Sequence, residues 1–312
     1  MENRIKELDY LKCIFIILMI IFHLVYIEDK YPHLKNIVYT FHMPAFFIIS
    51  GYFFNIKKKT NSFFKGILWI FIPYAFMELG YILMSSILPV REKVVEITLW
   101  TILDKIFISP MGPYWYLHTL VLCGIVYYIV YNYIRLSMIS RLIVLSLSLF
   151  TISSFGMLSF ANALYFIIGT AIHQSKLSFL TIFRPSALAL IPLVILCSFP
   201  ENLNKFSLSG IIITYLAVSL FLFLYNYTPK RIKQMSFYVG QNTLIILLFS
   251  PIFTILSKMF IPFFSFDQTG ICFMCVAVIF TITGCIGIAK IIDWANLSRF
   301  CFGKEQILNK II

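Results

Sequence analysis

The chain has 312 residues, 60% hydrophobic and 12% charged, with a net charge of +12 and a mean hydropathy of +0.91. A soluble domain carries about 25% charged residues, so too few are present to clothe a solvated surface, and a soluble enzyme or adaptor is excluded. The basic excess sits in short clusters between apolar runs, which is the pattern of membrane topology, and no nucleic-acid partner is expected.

A helix of about 20 apolar residues crosses a bilayer. Ten such runs follow one another: 8–28, 34–56, 62–88, 113–133, 140–155, 157–173, 186–200, 209–227, 237–261 and 270–292. The expected fold class is all-α, a polytopic membrane bundle over about 8–292 in a single domain 1–312, with 293–312 as a cytosolic helix or loose end. The first run starts on Arg4 and Lys6, but its exit, YIEDKYPH, offers no small-residue cleavage site, so it reads as a retained span. Ser153-Ser154-Phe155-Gly156 reads either as a tight turn or as a kink in one longer helix. Lys57–Lys59, Arg135, Arg141, Arg184, Lys230, Arg231, Lys233 and Lys310 fall on one side of this arrangement. Lys30, Lys35, Arg91, Lys93, Lys105 and Lys205 fall on the other. The bias places both termini in the cytosol and the protein in the inner (plasma) membrane, with the lipid bilayer as its first partner.

Ionisable groups inside apolar helices mark polar paths. Lys12 and His23 are eleven residues apart, on nearly one face of a continuous helix and about 16 Å apart along its axis. Asp9 precedes Lys12 by three residues, so an ion pair at the cytosolic rim is its ordinary explanation; the functional one is positive charge offered to an anionic, phosphate-bearing ligand. His42, Glu78 and His118 join His23 in one outer-half layer drawn from four helices. The plain reading of each is a packed side chain bonded to a neighbouring helix, and His33 and His173 read as solvated. Desolvation favours the neutral form of a buried imidazole. A neutral imidazole takes a proton from an attacking alcohol or is itself acylated, with Glu78 or His42 orienting the ring. Cys272 and Cys275 form a C-x-x-C without a second ligand pair, so no metal site is expected.

Four motifs in order resemble the integral-membrane acyltransferase-3 family, and its short sugar O-acetylase-like members in particular. They are Leu8-Asp9-Tyr10-Leu11-Lys12 with His23 after ten residues, FHMPAFFIISGYFF at 41–54, Trp115-Tyr116-Leu117, and Gly240-Gln241-Asn242-Thr243-Leu244. The resemblance implies transfer of an acyl group, commonly acetyl, from acyl-coenzyme A on the cytosolic side to a hydroxyl of an envelope glycan or its lipid-linked precursor. It implies His23 as the catalytic histidine and Lys12 on the donor side, with His42, Ser50, Gly51 and Trp115 as motif residues. Lys12 stands where Arg is commoner, which keeps the charge and loses bidentate phosphate geometry. LLFSPIF at 247–253 lacks a histidine that many members carry there.

The candidate set is therefore His23, Glu78 and His42 for catalysis. Lys12, Lys57, Lys58, Arg135, Arg141 and Lys230 are the candidates for the coenzyme A phosphates, and Trp115, His118 and Ser50 for the acceptor. A proton-coupled transporter or flippase of a glycan or small molecule is the alternative, since intramembrane His and Glu also relay protons. The paired repeats common in transporters are absent from the sequence.

Overall fold

The structure is a computed structural model that describes residues 4–85, 87, 93, 94 and 96–309. Arg91 and Lys310 of the charge pattern lie outside these residues. Among them, every regular element is helical: α1 (Lys6–Ile21), α2 (Val25–Lys30), α3 (Pro32–Phe53), α4 (Thr60–Ser85), α5 (Leu99–Phe107), α6 (Trp115–Tyr133), α7 (Met138–Ser154) and α8 (Phe160–Gln174). There follow α9 (Phe179–Ile182), α10 (Leu190–Cys197), α11 (Leu208–Tyr227), α12 (Lys230–Gln241), α13 (Thr243–Leu256), α14 (Ile271–Trp294) and α15 (Ser298–Phe302). Among the described residues, five stretches are long and apolar enough to cross a membrane: Thr60–Ser85, Leu99–Tyr133, Leu208–Tyr227, Thr243–Phe264 and Ile271–Trp294.

Two sequence expectations are corrected here. The run 8–28 is not one helix: α1 stops at Ile21, and Phe22, His23 and Leu24 form a break before α2. The run 237–261 is likewise divided, with α12 ending at Gln241 and α13 beginning beyond Asn242. Hydrophobicity alone cannot register the first break, because the residues on both sides of it are apolar; the second falls at the polar Gln241-Asn242-Thr243. At 153–156 the turn reading holds: α7 ends at Ser154, and Gly156 takes φ +77, a conformation that costs glycine nothing.

The chain divides into two compact units. The first comprises Met1–Phe46, Ser178–Ser298 and Glu305–Ile312. Its centre is an aromatic cluster in which Phe15 meets Phe41, Phe46 and Phe221 edge to face at 5.8–6.2 Å, the geometry the ring quadrupole prefers. Gly240 on α12 lies against the backbone of Asp9, so the amphipathic α12 packs closely along the start of α1. Pro44 inside α3 has no N–H to give Thr40 four residues earlier; Thr214 of α11 donates to that Thr40 carbonyl instead, at 3.4 Å. Residues 307–309 are held in place. Asp293 at the end of α14 accepts from the Ser298 hydroxyl and from the Ile307 N–H at 2.8 Å, and Asn309 N–H donates to Asn242 Oδ1 at 3.0 Å.

The second unit comprises Phe47–Leu177 and Arg299–Lys304. Here the end of α3 crosses α8 at Gly51 and Gly169, with backbone nearly touching backbone. Phe63 on α4 stacks on Tyr128 of α6 at 3.8 Å, and Gly303 seats α15 against Trp69.

Candidate functional site

In the first unit the break after α1 presents His23. Its backbone N–H closes the helix on Met19 and Ile20 at 3.1 Å. Its Nδ1 lies 2.7 Å from the Met19 carbonyl oxygen. A carbonyl only accepts, so Nδ1 carries a proton, and it is Nε2 that distinguishes the neutral ring from the imidazolium. His42, on α3, repeats the arrangement with Nδ1 at 2.7 Å from the Val38 carbonyl. Tyr39 touches both imidazoles, its ring 6.4 Å from His23 and 5.2 Å from His42. The Tyr39 hydroxyl donates to the Phe22 carbonyl at 3.0 Å. The structure thus places His23 and His42 within electrostatic reach of each other, with a tyrosine in contact with both that sequence reading missed. Its one signal was position: Tyr39 is three residues before His42, on the same helical face. Above the tyrosine, Lys35 pairs with Glu28 and lies 5.3 Å over the phenol ring. Lys205, in the loop before α11, lies within electrostatic reach of His42. Burial draws the Lys205 ammonium below its usual range.

At the other end of α1, Lys12 is not a bare cation. Its Nζ lies 2.6 Å from Asp9 Oδ1, while Arg4 Nε lies 2.6 Å from Asp9 Oδ2. Asp9 is buried. Two cations on one carboxylate leave the cluster net positive. Tyr10 Oη accepts from Thr228 two residues before the exposed Lys230, so Lys12 and Lys230 share this end of the unit.

The second unit holds the remaining candidates. Glu78 is fully buried on α4 and accepts the Met111 N–H at 2.6 Å. Tyr74, one helical turn earlier, lies 6.0 Å from the His118 ring on α6. His118 Nε2 donates to the Phe107 carbonyl at 2.9 Å, and its Nδ1 has no hydrogen-bond partner among the described residues. His118 also lines a largely apolar groove of about 560 Å³ between α4 and α6, with Lys65 at its other end. Ser50 Oγ and Tyr116 Oη share a hydrogen bond of 2.7 Å. Trp115 lies 6.1 Å from Phe47.

The basic candidates of this unit gather at one end. Tyr128 Oη donates to the Lys58 carbonyl at 3.3 Å, and Asn132 Nδ2 to that of Ile56 at 3.2 Å, which ties the loop carrying Lys57 and Lys58 to the end of α6. Arg135 is exposed just beyond that end. Arg141 donates to the Leu136 carbonyl at 2.8 Å and lies 5.5 Å over Tyr131, so part of its role is to close the α6–α7 turn. His33 is exposed, as expected, and its Nε2 also bonds the Cys197 carbonyl at 3.0 Å.

A family model described as an acyltransferase domain, that of the acyltransferase-3 family, matches residues 5–290. The chain belongs to that family. The match takes in residues of both units, and with the apolar helices it makes the protein a membrane acyltransferase. No curated protein and no solved structure matches the chain. Within the acyltransferase, the Lys12–His23 spacing, the 41–54 segment and Trp115 all fall inside the matched residues.

Proposed function

We propose that this acyltransferase moves an acyl group, acetyl by preference, from acyl-coenzyme A to a hydroxyl of an envelope glycan or its lipid-linked precursor. One observation carries the reading. In a chain of this family, the histidine eleven residues after Lys12 stands at a helix break with its Nδ1 at 2.7 Å from the Met19 carbonyl, which fixes the ring's orientation and makes Nε2 the nitrogen assigned here as base.

In the direct route, Nε2 takes the proton of the acceptor hydroxyl as its oxygen attacks the thioester carbonyl. The C–S bond breaks, and the leaving thiolate recovers the proton from the imidazolium, giving an ester and free coenzyme A. In the stepwise route Nε2 itself displaces the thiolate to give an acyl-imidazolium; the hydroxyl then attacks it, the C–N bond breaks to restore the imidazole, and the hydroxyl proton passes to the thiolate. Either route suits a ring fixed in one tautomer.

The ten apolar runs are read as ten membrane crossings with both termini in the cytosol of a cell with an inner (plasma) membrane. On that orientation Lys12 and Lys230 in one unit, and Lys57, Lys58, Arg135 and Arg141 in the other, offer cations to the coenzyme A phosphates. His42 supports the His23 end. Glu78, Ser50, Trp115 and His118 are assigned to catalysis and acceptor binding by the motifs and by their burial.

The test is mass spectrometry of the host's surface glycans with the wild-type gene, without it, and with His23→Ala. Loss of an acyl mass in the last two, with the variant still present in the membrane, is the expected result. Acylation retained in His23→Ala overturns the assignment.

A further inference from the structure

The break that presents His23 has an electrostatic cost. In an unbroken helix the Phe22 carbonyl would accept from the N–H of residue 26. Here α1 has ended and Tyr26 belongs to α2. The N–H of His23 bonds back to Met19 and Ile20, and that of Leu24 bonds back to Ile21. Phe22 itself is 2% exposed. A carbonyl buried in an apolar setting must find a donor, and the donor it finds is the Tyr39 hydroxyl of α3.

The geometry points to Tyr39 as a positioning residue for His23: its hydroxyl stabilises the break, and its ring contacts both imidazoles. This rests on the acyl-transfer reading for its consequence in catalysis, but not for its structural content. The phenol is itself fixed from outside by Lys35, which is paired with Glu28 on α2. A chain of contacts therefore runs from the α2 ion pair through the tyrosine to the residue before the histidine. Without the hydroxyl, the cheapest way to satisfy the Phe22 carbonyl is to wind α1 onward until it meets the Tyr26 N–H. That withdraws the imidazole from the break.

Tyr39→Phe keeps the ring and removes only the donor. The full-length protein in nanodiscs is treated with diethyl pyrocarbonate, which modifies neutral imidazoles, and the rate at each histidine is followed by peptide mass spectrometry across pH. The rate at His23 is expected to fall at least threefold in Tyr39→Phe, with its pH profile displaced. His33 and His173 are expected to keep their wild-type rates. Hydrogen exchange at the Tyr26 amide is expected to slow in the same variant. An unchanged or faster rate at His23 overturns the proposal. So does an equal fall at all three histidines, which marks a general packing role. Glycan acylation by His23→Ala is read separately, so failure of the acyltransferase assignment leaves the labelling result interpretable.

Discussion

Gly51 and Gly169 meet where α3 crosses α8, and neither position has room for a Cβ. A methyl group on Gly51 would fall on the Phe166 carbonyl, and one on Gly169 on that of Ile48. Small residues allow membrane helices this approach. The glycine of the Ser-Gly pair in the 41–54 motif is therefore a packing residue, whatever its serine neighbour does. Gly51→Val should separate the helices at a cost of about 3 kcal/mol, the upper part of the overpacking range because the obstacle is backbone. A thermal unfolding series in detergent would report it, and an unaltered midpoint would refute the crossing.

Asp9 is the buried member of a three-residue ion cluster, between Arg4 and Lys12. Replacing it with Asn leaves two cations facing each other beside the close contact with Gly240. Removing one partner of a fully buried pair costs roughly 3–5 kcal/mol; with Arg4 46% and Lys12 22% exposed, solvent screening reduces this to about 1–2 kcal/mol. Lys12→Arg should keep the pairing and the stability, whereas Lys12→Met should lose both. Unfolding midpoints of the three variants in one lipid condition separate these outcomes.

Asp293 ties residues 307 and 308 to the end of α14 through their N–H groups, at 2.8 and 3.4 Å. A hydrogen bond to a charged group contributes about 1.5–3 kcal/mol. Asp293→Ala should therefore speed amide exchange at Ile307 by roughly ten- to a hundredfold. Exchange unchanged there would mean that the Asn309–Asn242 contact alone holds the segment.

Asp267 caps α14 from outside the apolar stretches. Its Oδ1 accepts from the Thr269 N–H and hydroxyl at 2.9 and 2.6 Å, and its Oδ2 from the Cys272 N–H at 2.7 Å. The Thr269 hydroxyl and the Cys272 N–H hold its carboxyl well below the usual carboxylate range. A depressed value means that the cap is fully formed above the ordinary carboxylate pKa of about 4 and is lost only as pH falls through the lowered one. Protection of the Cys272 amide, corrected for intrinsic rate, should match at about pH 4 and pH 7. Asp267→Asn should lose it at both.

The apolar runs show how much of the architecture hydropathy carries: each run contains helix, but 8–28 and 237–261 are divided and 186–200 holds α-helix only in the eight-residue α10, and five stretches of the described residues are long and apolar enough to cross a membrane. What composition could not carry were the interruptions. Leu-Val-Tyr after His23 is as apolar as its surroundings, and that break is met by a partner distant in sequence, Tyr39; at the second break the polar Gln241-Asn242-Thr243 was present in the sequence but carried no sign of its contact with Asn309. The same limit governed the site. His23 and His42 were legible as ionisable residues in apolar helices, and Lys12 with Asp9 as a spaced pair. Tyr39 was not, because a tyrosine in an aromatic-rich helix carries no charge to draw notice. α5 was missed because nine residues between two long apolar runs pass as loop.

The early end of α1 has a consequence for the surrounding lipid. Sixteen helical residues reach about 24 Å, and the first seven carry the Asp9–Lys12 cluster, whereas hydrocarbon in an ordinary bilayer is about 30 Å thick. On the proposed orientation, in which α1 is a crossing, the imidazole after this short rod would lie beneath the far surface unless the membrane pinches toward it. Hydrophobic mismatch would then tune turnover, with shorter-chain phospholipids drawing the interface down to the ring and longer ones moving it away from the proposed acceptor.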